Sequence, residues 1–322
     1  MDDHDFYPPK PELIEVKSKG NFALTILSIV IFVMTFLFVF TDEVNFVFHL
    51  LIVLLIHELG HFICMKIFGY QNVRMLFIPL MGAFVQGSKE EYSLRQSLIV
   101  TAAGPLPGVL MGVVLIFLAA DFHHVWMIDL GILFLLLNMI NLVPLDPLDG
   151  GQLFKLLIPK NQEMFLLIFA FISSMFLIAI GWYIDSYVLI AFGFIMGFRV
   201  RSFQKQVHLR KEFVEEDINY KTTYKNLSNR DFSKIKTILL RNSPTLQTYM
   251  DSISEDEAEP LMAGQVNGVL QSPIKRDASV LFKVVTIVLW LAALLGPLVA
   301  LLFFKELIRE HYGWYLEWLS NR

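Results

Sequence analysis

The stretch 50–68, "LLIVLLIHELGHFICMKIF", is apolar enough to sit in a bilayer, yet it holds His57, Glu58 and His61 in its middle. Ionisable groups in hydrocarbon cost free energy and stay there only where they pair, line a cavity or bind something. On a helix, residues four apart share a face, so the two imidazoles of His57-Glu58-Leu59-Gly60-His61 can reach one metal ion. The glutamate beside the first of them is placed to accept a proton from water. Neutral imidazole is a good Zn²⁺ ligand, and metal binding offsets the burial of the polar groups. The competing explanation is two core histidines bonded to neighbouring backbone.

The rest of the chain agrees with a membrane setting. Of its 322 residues, 55% are hydrophobic and 17% charged, against roughly 25% charged in soluble domains. The net charge of −4 points to no nucleic-acid partner. Cys64 is the single cysteine, so neither an intrachain disulfide nor a cysteine metal cluster can form. A spanning helix needs about 20 apolar residues. The runs 22–41, 45–68, 96–120, 126–145, 164–184 and 284–304 meet or approach that length, and 186–198 is a short seventh.

Lys and Arg concentrate on one side of these runs. Lys10, Lys17 and Lys19 precede the first, Arg74, Lys89 and Arg95 follow the second, and Arg199, Arg201, Lys205, Arg210 and Lys211 follow the short run 186–198. The opposite loops hold Asp42, Glu43, Asp121 and Asp185. The positive-inside rule then places the N terminus in the cytosol. The expected fold is an all-α polytopic membrane protein of about six or seven transmembrane helices. Its predicted parts are a cytosolic tail 1–21, a membrane core 22–200, a cytosolic segment 201–279, a last transmembrane helix 280–304 and an amphipathic tail 305–322. In the cytosolic segment one helix is expected near 232–240 and a second starting at Pro260, around an acidic run 251–259. The Gly- and Pro-containing stretch "VRMLFIPLMGAFVQG", 73–87, is too broken for a span and reads as an extended hairpin dipping toward the membrane.

A catalytic zinc takes three protein ligands and keeps one open position. The third ligand must come from elsewhere, and "NLVPLDPLDGGQ", 141–152, is the candidate. It falls at the same end of its span as His57 and His61 do of theirs. Pro144, Pro147, Gly150 and Gly151 break the helix and let a carboxylate turn inward. Chemistry alone leaves Asp146 and Asp149 both open. His49 lies about 12 Å back along the helix from His57, too far for the same metal.

An H-E-x-x-H within a span, followed by N-x-x-P-x-x-x-x-D-G at Asn141, Pro144, Asp149 and Gly150, resembles the site-2 protease family of intramembrane zinc metalloproteases. "TAAGPLPGVLMG", 101–112, is similar to that family's A-G-P segment, with Gly108 where many members carry Asn. The resemblance implies that His57, His61 and Asp149 hold one Zn²⁺. Glu58 would be the general base, and Asn141 a contact to the substrate backbone or oxyanion. It implies hydrolysis of peptide bonds within or near transmembrane segments, with a membrane protein or membrane peptide as substrate and the lipid bilayer as setting. The expected location is a bacterial inner membrane, with the site toward the cytosolic side. A catalytically silent, zinc-binding relative is the alternative. A metalloprotease using Glu163 as third ligand and a metal transporter are two further readings, ranked below it. Nothing in the sequence fixes the oligomeric state.

Overall fold

The computed structural model describes residues 7–14, 22–39, 44–79, 82–158, 163–303, 312–315 and 317. Lys17, Lys19, the acidic residues Asp42 and Glu43, the side chain of Glu163 and most of the tail 305–322 lie outside the described residues. The chain divides into two compact units.

The larger unit holds residues 19–89, 93–160 and 276–322. It contains helices α1 (Phe22–Val39) and α2 (Val44–Ile67), then strands β1 (Gln71–Ile78) and β2 (Gly82–Ser88). Helices α3 (Leu94–Ala102), α4 (Pro105–Phe122), α5 (Val125–Leu142), α6 (Asp149–Leu157) and, after a long gap in sequence, the C-terminal helix Val280–Phe303 complete it. One core joins Phe32 of α1, Leu50 and Val53 of α2, Met75 and Phe77 of β1, and Leu130, Leu133 and Phe134 of α5. A second joins Leu94 and Leu98, Val109, Leu142 and Leu153 to Trp290 of the C-terminal helix. The remaining faces stay apolar and uncovered, with Phe38 83%, Phe117 77% and Leu302 78% exposed. Water would not tolerate apolar surface on that scale, and lipid does. The chain is a polytopic membrane protein.

Four helices are long and apolar enough to cross a membrane by length and composition: Val44–Ile67, Leu94–Phe122, Val125–Leu142 and Val280–Ala300. The other three expected spans appear as shorter apolar helices, Ala23–Phe38, Leu167–Tyr183 and Leu189–Phe198. The first of these is flanked on both sides by residues outside the described set. The third crossing is two helices, α3 and α4, broken at Gly104 with Pro105 opening the second. Proline at a first helical position is pre-set for the helix it opens, and without an N–H it cannot carry on the hydrogen-bond ladder of α3.

The 73–87 stretch folds as the expected hairpin, antiparallel, with Met75 opposite Val85 and Leu76 opposite Phe84. Its outer strand β1 is fastened to α1, where Thr25 Oγ1 donates to the Met75 carbonyl (2.8 Å) and the Phe77 amide donates to Ser28 Oγ (3.2 Å). Among the described residues β2 pairs with β1 alone, so its second edge carries no strand. At the far end of α4 and α5, Tyr315 Oη donates to Asp129 Oδ1 (2.6 Å) and Tyr312 Oη donates to the Ile116 carbonyl (2.6 Å). Asp129, an acid at the start of an apolar span, is thereby bonded.

The smaller unit gathers residues 1–18, 90–92 and 161–275. Helix α7 (Glu163–Tyr183) turns back into α8 (Tyr187–Glu215), and Ser174 Oγ donates across to the Gly193 carbonyl (2.8 Å). A hydroxyl bridging two helices in this way explains Ser174 without a nucleophilic role. The apolar run ends at Phe198 but the helix does not. α8, 29 residues long in all, continues into the charged segment as far as Glu215, because Arg, Lys, Gln and Glu are good helix formers. Its end packs with α9 (Asn229–Asn242) and α11 (Glu255–Val269) around Phe213, Tyr220, Phe232, Ile235, Ile238 and Val266, with α10 (Pro244–Ser252) between those helices in sequence. The second expected helix therefore starts earlier than Pro260, which lies inside α11. Glu255, Asp256 and Glu257 fill its first turn, where acids favour the helix N terminus.

The segment Pro8–Ile14 lies over this core as a strap. Lys10 Nζ donates to the carbonyls of Tyr224 (2.7 Å), Lys225 (3.0 Å) and Leu227 (2.6 Å). Its ammonium also sits 5.3 Å from the Tyr224 ring centroid. Its own amide donates to Asn229 Oδ1 (3.1 Å), and Tyr224 Oη donates to the Pro11 carbonyl (2.8 Å). An ammonium has three donors, and all three are used. Lys10→Met is expected to lower the stability of this unit by about 1–3 kcal/mol. A lower melting temperature and faster amide exchange at 224–229 are the readout, and unchanged exchange there would show the strap to be incidental.

Candidate metal and catalytic site

The site stands on α2, where His57, Glu58 and His61 are 4%, 5% and 8% exposed. Their burial follows from close helix contacts. A Cβ on Gly60 would overlap the Ala103 carbonyl, and one on Gly104 would overlap the His61 imidazole. Glycine at both positions lets the α3–α4 break lie directly on the histidine face of α2. That break exposes the Val100 carbonyl, which accepts from His61 Nδ1 at 2.7 Å. His57 Nδ1 donates instead to Asn138 Oδ1 at 2.7 Å. Both imidazoles thus use Nδ1 as donor and leave Nε2 free.

Those two Nε2 atoms lie 3.2 Å apart. Asp149 Oδ2 lies 3.0 Å from His57 Nε2 and 3.3 Å from His61 Nε2. The three residues form a group whose ligand atoms all fall within 4.8 Å of one another, an arrangement able to hold a metal ion. Asp149 arrives there because α5 ends at Leu142, Pro144 cannot continue the helix, and α6 begins at Asp149 itself. A Cβ on Gly150 would overlap the Leu142 carbonyl, so glycine is needed for the return of the chain against the end of α5. That carbonyl, left open by the helix end, accepts from Trp290 Nε1 at 2.7 Å.

Asp146 goes elsewhere. Its Oδ1 accepts from Lys155 Nζ and from Gln152 Nε2 (3.2 Å), which makes it a local ion-pair partner. Asn141 is half-buried, and its amide makes no hydrogen bond among the described residues. Glu58 lies next to the His57–His61 pair and beside the backbone of Val85 in β2, so the hairpin borders this buried carboxyl group. Two residues of this constellation escaped the reading of the sequence. Asn138 was hidden in an apolar span, where its polarity alone was the signal. Trp290 lies 148 residues from the carbonyl it caps, and no local pattern marks it.

With this geometry established, similarity to known proteins can be placed on it. Residues 45–128 match the model of Peptidase family M50. The match covers about a quarter of the chain. It carries His57, Glu58 and His61 and ends before Asp149, so the third member of the cluster rests on the geometry. Among curated relatives, the zinc metalloprotease MJ0392 of Methanocaldococcus jannaschii is 30% identical over 118 residues, 35% of this chain and 34% of that protein. Stage IV sporulation protein FB of Bacillus subtilis is 31% identical over 119 residues, 35% of this chain and 40% of that protein. The chain thus spans well under half the length of the curated relatives it matches. Among solved structures, the site-2 protease from Methanocaldococcus jannaschii aligns with TM-score 0.42 and 21% identity, covering 55% of this chain and 86% of that one.

Proposed function

We propose that the chain is an intramembrane zinc metalloprotease that hydrolyses peptide bonds within or near transmembrane segments of other membrane proteins. The observation that carries this reading is the convergence of His57, His61 and Asp149 beside Glu58 in an apolar helix bundle. The donor set fits zinc. Two neutral imidazoles present Nε2, their Nδ1 atoms are held by acceptors, and one carboxylate completes three protein ligands, as in catalytic zinc sites. A zinc ion there supplies Lewis acidity toward the scissile carbonyl and toward water.

The chain's own residues do the rest. Glu58 accepts a proton from the attacking water and returns it to the leaving amine. Asn141, with an unengaged amide, donates to the carbonyl oxygen of the bond being cut. A substrate helix shields its own carbonyls, so it must unwind before attack. The edge of β2 that carries no strand among the described residues offers main-chain pairing to the unwound strand. The excess of Lys and Arg on one side of the spans supports a cytosolic N terminus and a site toward the cytosol, and the proposed setting is a bacterial inner membrane. Release of a signalling fragment or clearance of membrane-embedded remnants are the roles that such a site serves. In this scheme the helical cluster around Phe213, Phe232, Ile235 and Val266 lies in the cytosol.

Removal of the metal tests the reading. In proteoliposomes with a single-span substrate, a strong chelator is expected to abolish cleavage, and one equivalent of zinc per chain to restore it. A chain that binds zinc but never cuts would favour the catalytically silent alternative, and cleavage untouched by chelation would reject a metalloprotease.

A further inference from the structure

Asn138 sits in α5, an apolar span, one turn before that helix ends at Leu142, and is fully buried. A buried amide without partners is costly, because nothing replaces its lost hydrogen bonds to water. Here both of its ends are engaged. Nδ2 donates to the Phe134 carbonyl at 2.8 Å, one turn back on the same helix. That bond fixes which end of the amide faces α2, and the end that faces it is Oδ1, 2.7 Å from His57 Nδ1. An amide oxygen only accepts, so His57 must carry its proton on Nδ1. Its Nε2 lone pair then points to the cluster with Asp149 and His61.

His61 reaches the same state through a backbone carbonyl, Val100, exposed by the break at Gly104. α5 has no such break opposite His57, and its carbonyls there are engaged in the helix. The acceptor must therefore come from a side chain. Space for that side chain comes from α4, where a Cβ on Gly108 would overlap the Asn138 amide.

We propose that Asn138 is a positioning residue, absent from the assigned motifs, which locks His57 in the Nδ1–H tautomer. Gly108 is the vacancy that lets it do so. The proposal rests on the reading of His57, His61 and Asp149 as a zinc site, and it accounts for Gly108 as half of a pair.

The test uses the full chain in lipid nanodiscs, with zinc affinity measured by chelator competition and thermal unfolding measured on the metal-free protein. Asn138→Leu, which keeps volume and removes the acceptor, is expected to weaken zinc binding roughly 10- to 100-fold. Asn138→Asp, which keeps an acceptor toward His57, is expected to retain most of the affinity. Gly108→Ala is expected to lose affinity as Asn138→Leu does. The double variant Gly108→Ala with Asn138→Ala is expected to bind no more weakly than Asn138→Ala alone, because the two changes act on one contact.

Unchanged zinc affinity in folded Asn138→Leu would overturn the proposal. So would an Asn138→Asp variant as weak as the leucine, or full additivity in the double variant. If Asn138→Leu does not fold, Asn138→Asp and the Gly108 pair decide alone. If the wild-type chain itself takes up no zinc, the zinc-site reading fails first, and that result is distinct from all of these.

Discussion

Glu58→Gln is expected to leave zinc bound and to lower peptide-bond cleavage by at least about 10³-fold, within the range of losses for a positioned general base. The substitution keeps the shape of a side chain that is 5% exposed, so packing changes little. It removes only the ability to take a proton, since an amide oxygen is far less basic than a carboxylate. Glu58 is not one of the three residues whose ligand atoms converge, so metal content should stay at one per chain. The measurement pairs zinc content with the rate of product formation on the same preparation. A folded, zinc-loaded Glu58→Gln chain with full activity would remove Glu58 from the mechanism.

Asp149→Asn is expected to act at the other end of the site, by loss of the metal. Structural four-ligand zinc sites bind with about 10–16 kcal/mol, or about 3–4 kcal/mol per ligand, so weakening one ligand lowers affinity by about 10²- to 10³-fold. Asp149 Oδ2 lies within 3.3 Å of both imidazole Nε2 atoms, so the variant also removes the one anion from that position. Asp146→Asn is the control, because Asp146 is bonded to Lys155 and Gln152. Zinc content under a chelating buffer separates the two. Equal retention by both variants would contradict Asp149 as a ligand, and loss in the Asp146 variant alone would point to the other carboxylate.

The sequence revealed most where one local rule decides the structure. His57 and His61 fall on one face of α2 because four residues make one turn. The hairpin was legible because Pro79 and Gly82 break an apolar run too short to span. Asp149 was separable from Asp146 only through a family resemblance, since both are acids beside prolines. What separates them in the structure is Lys155, nine residues on, which takes Asp146. Elements that depend on distant partners were not legible. Asn138 gains its meaning from Gly108 on the preceding helix and His57 two helices earlier. The Lys10 strap read as a topology charge because its acceptors lie more than 200 residues away. The continuation of α8 past Phe198 was missed because helix propensity outlasts hydrophobicity there.

Mass mapping of products tests the central claim most directly. The purified, zinc-loaded chain is combined with a single-span substrate in proteoliposomes, with Glu58→Gln in parallel. The account predicts two fragments whose new termini fall within or beside the transmembrane segment, formed by wild type and absent with Glu58→Gln. An intact substrate in both reactions, or equal cleavage by both, would contradict it.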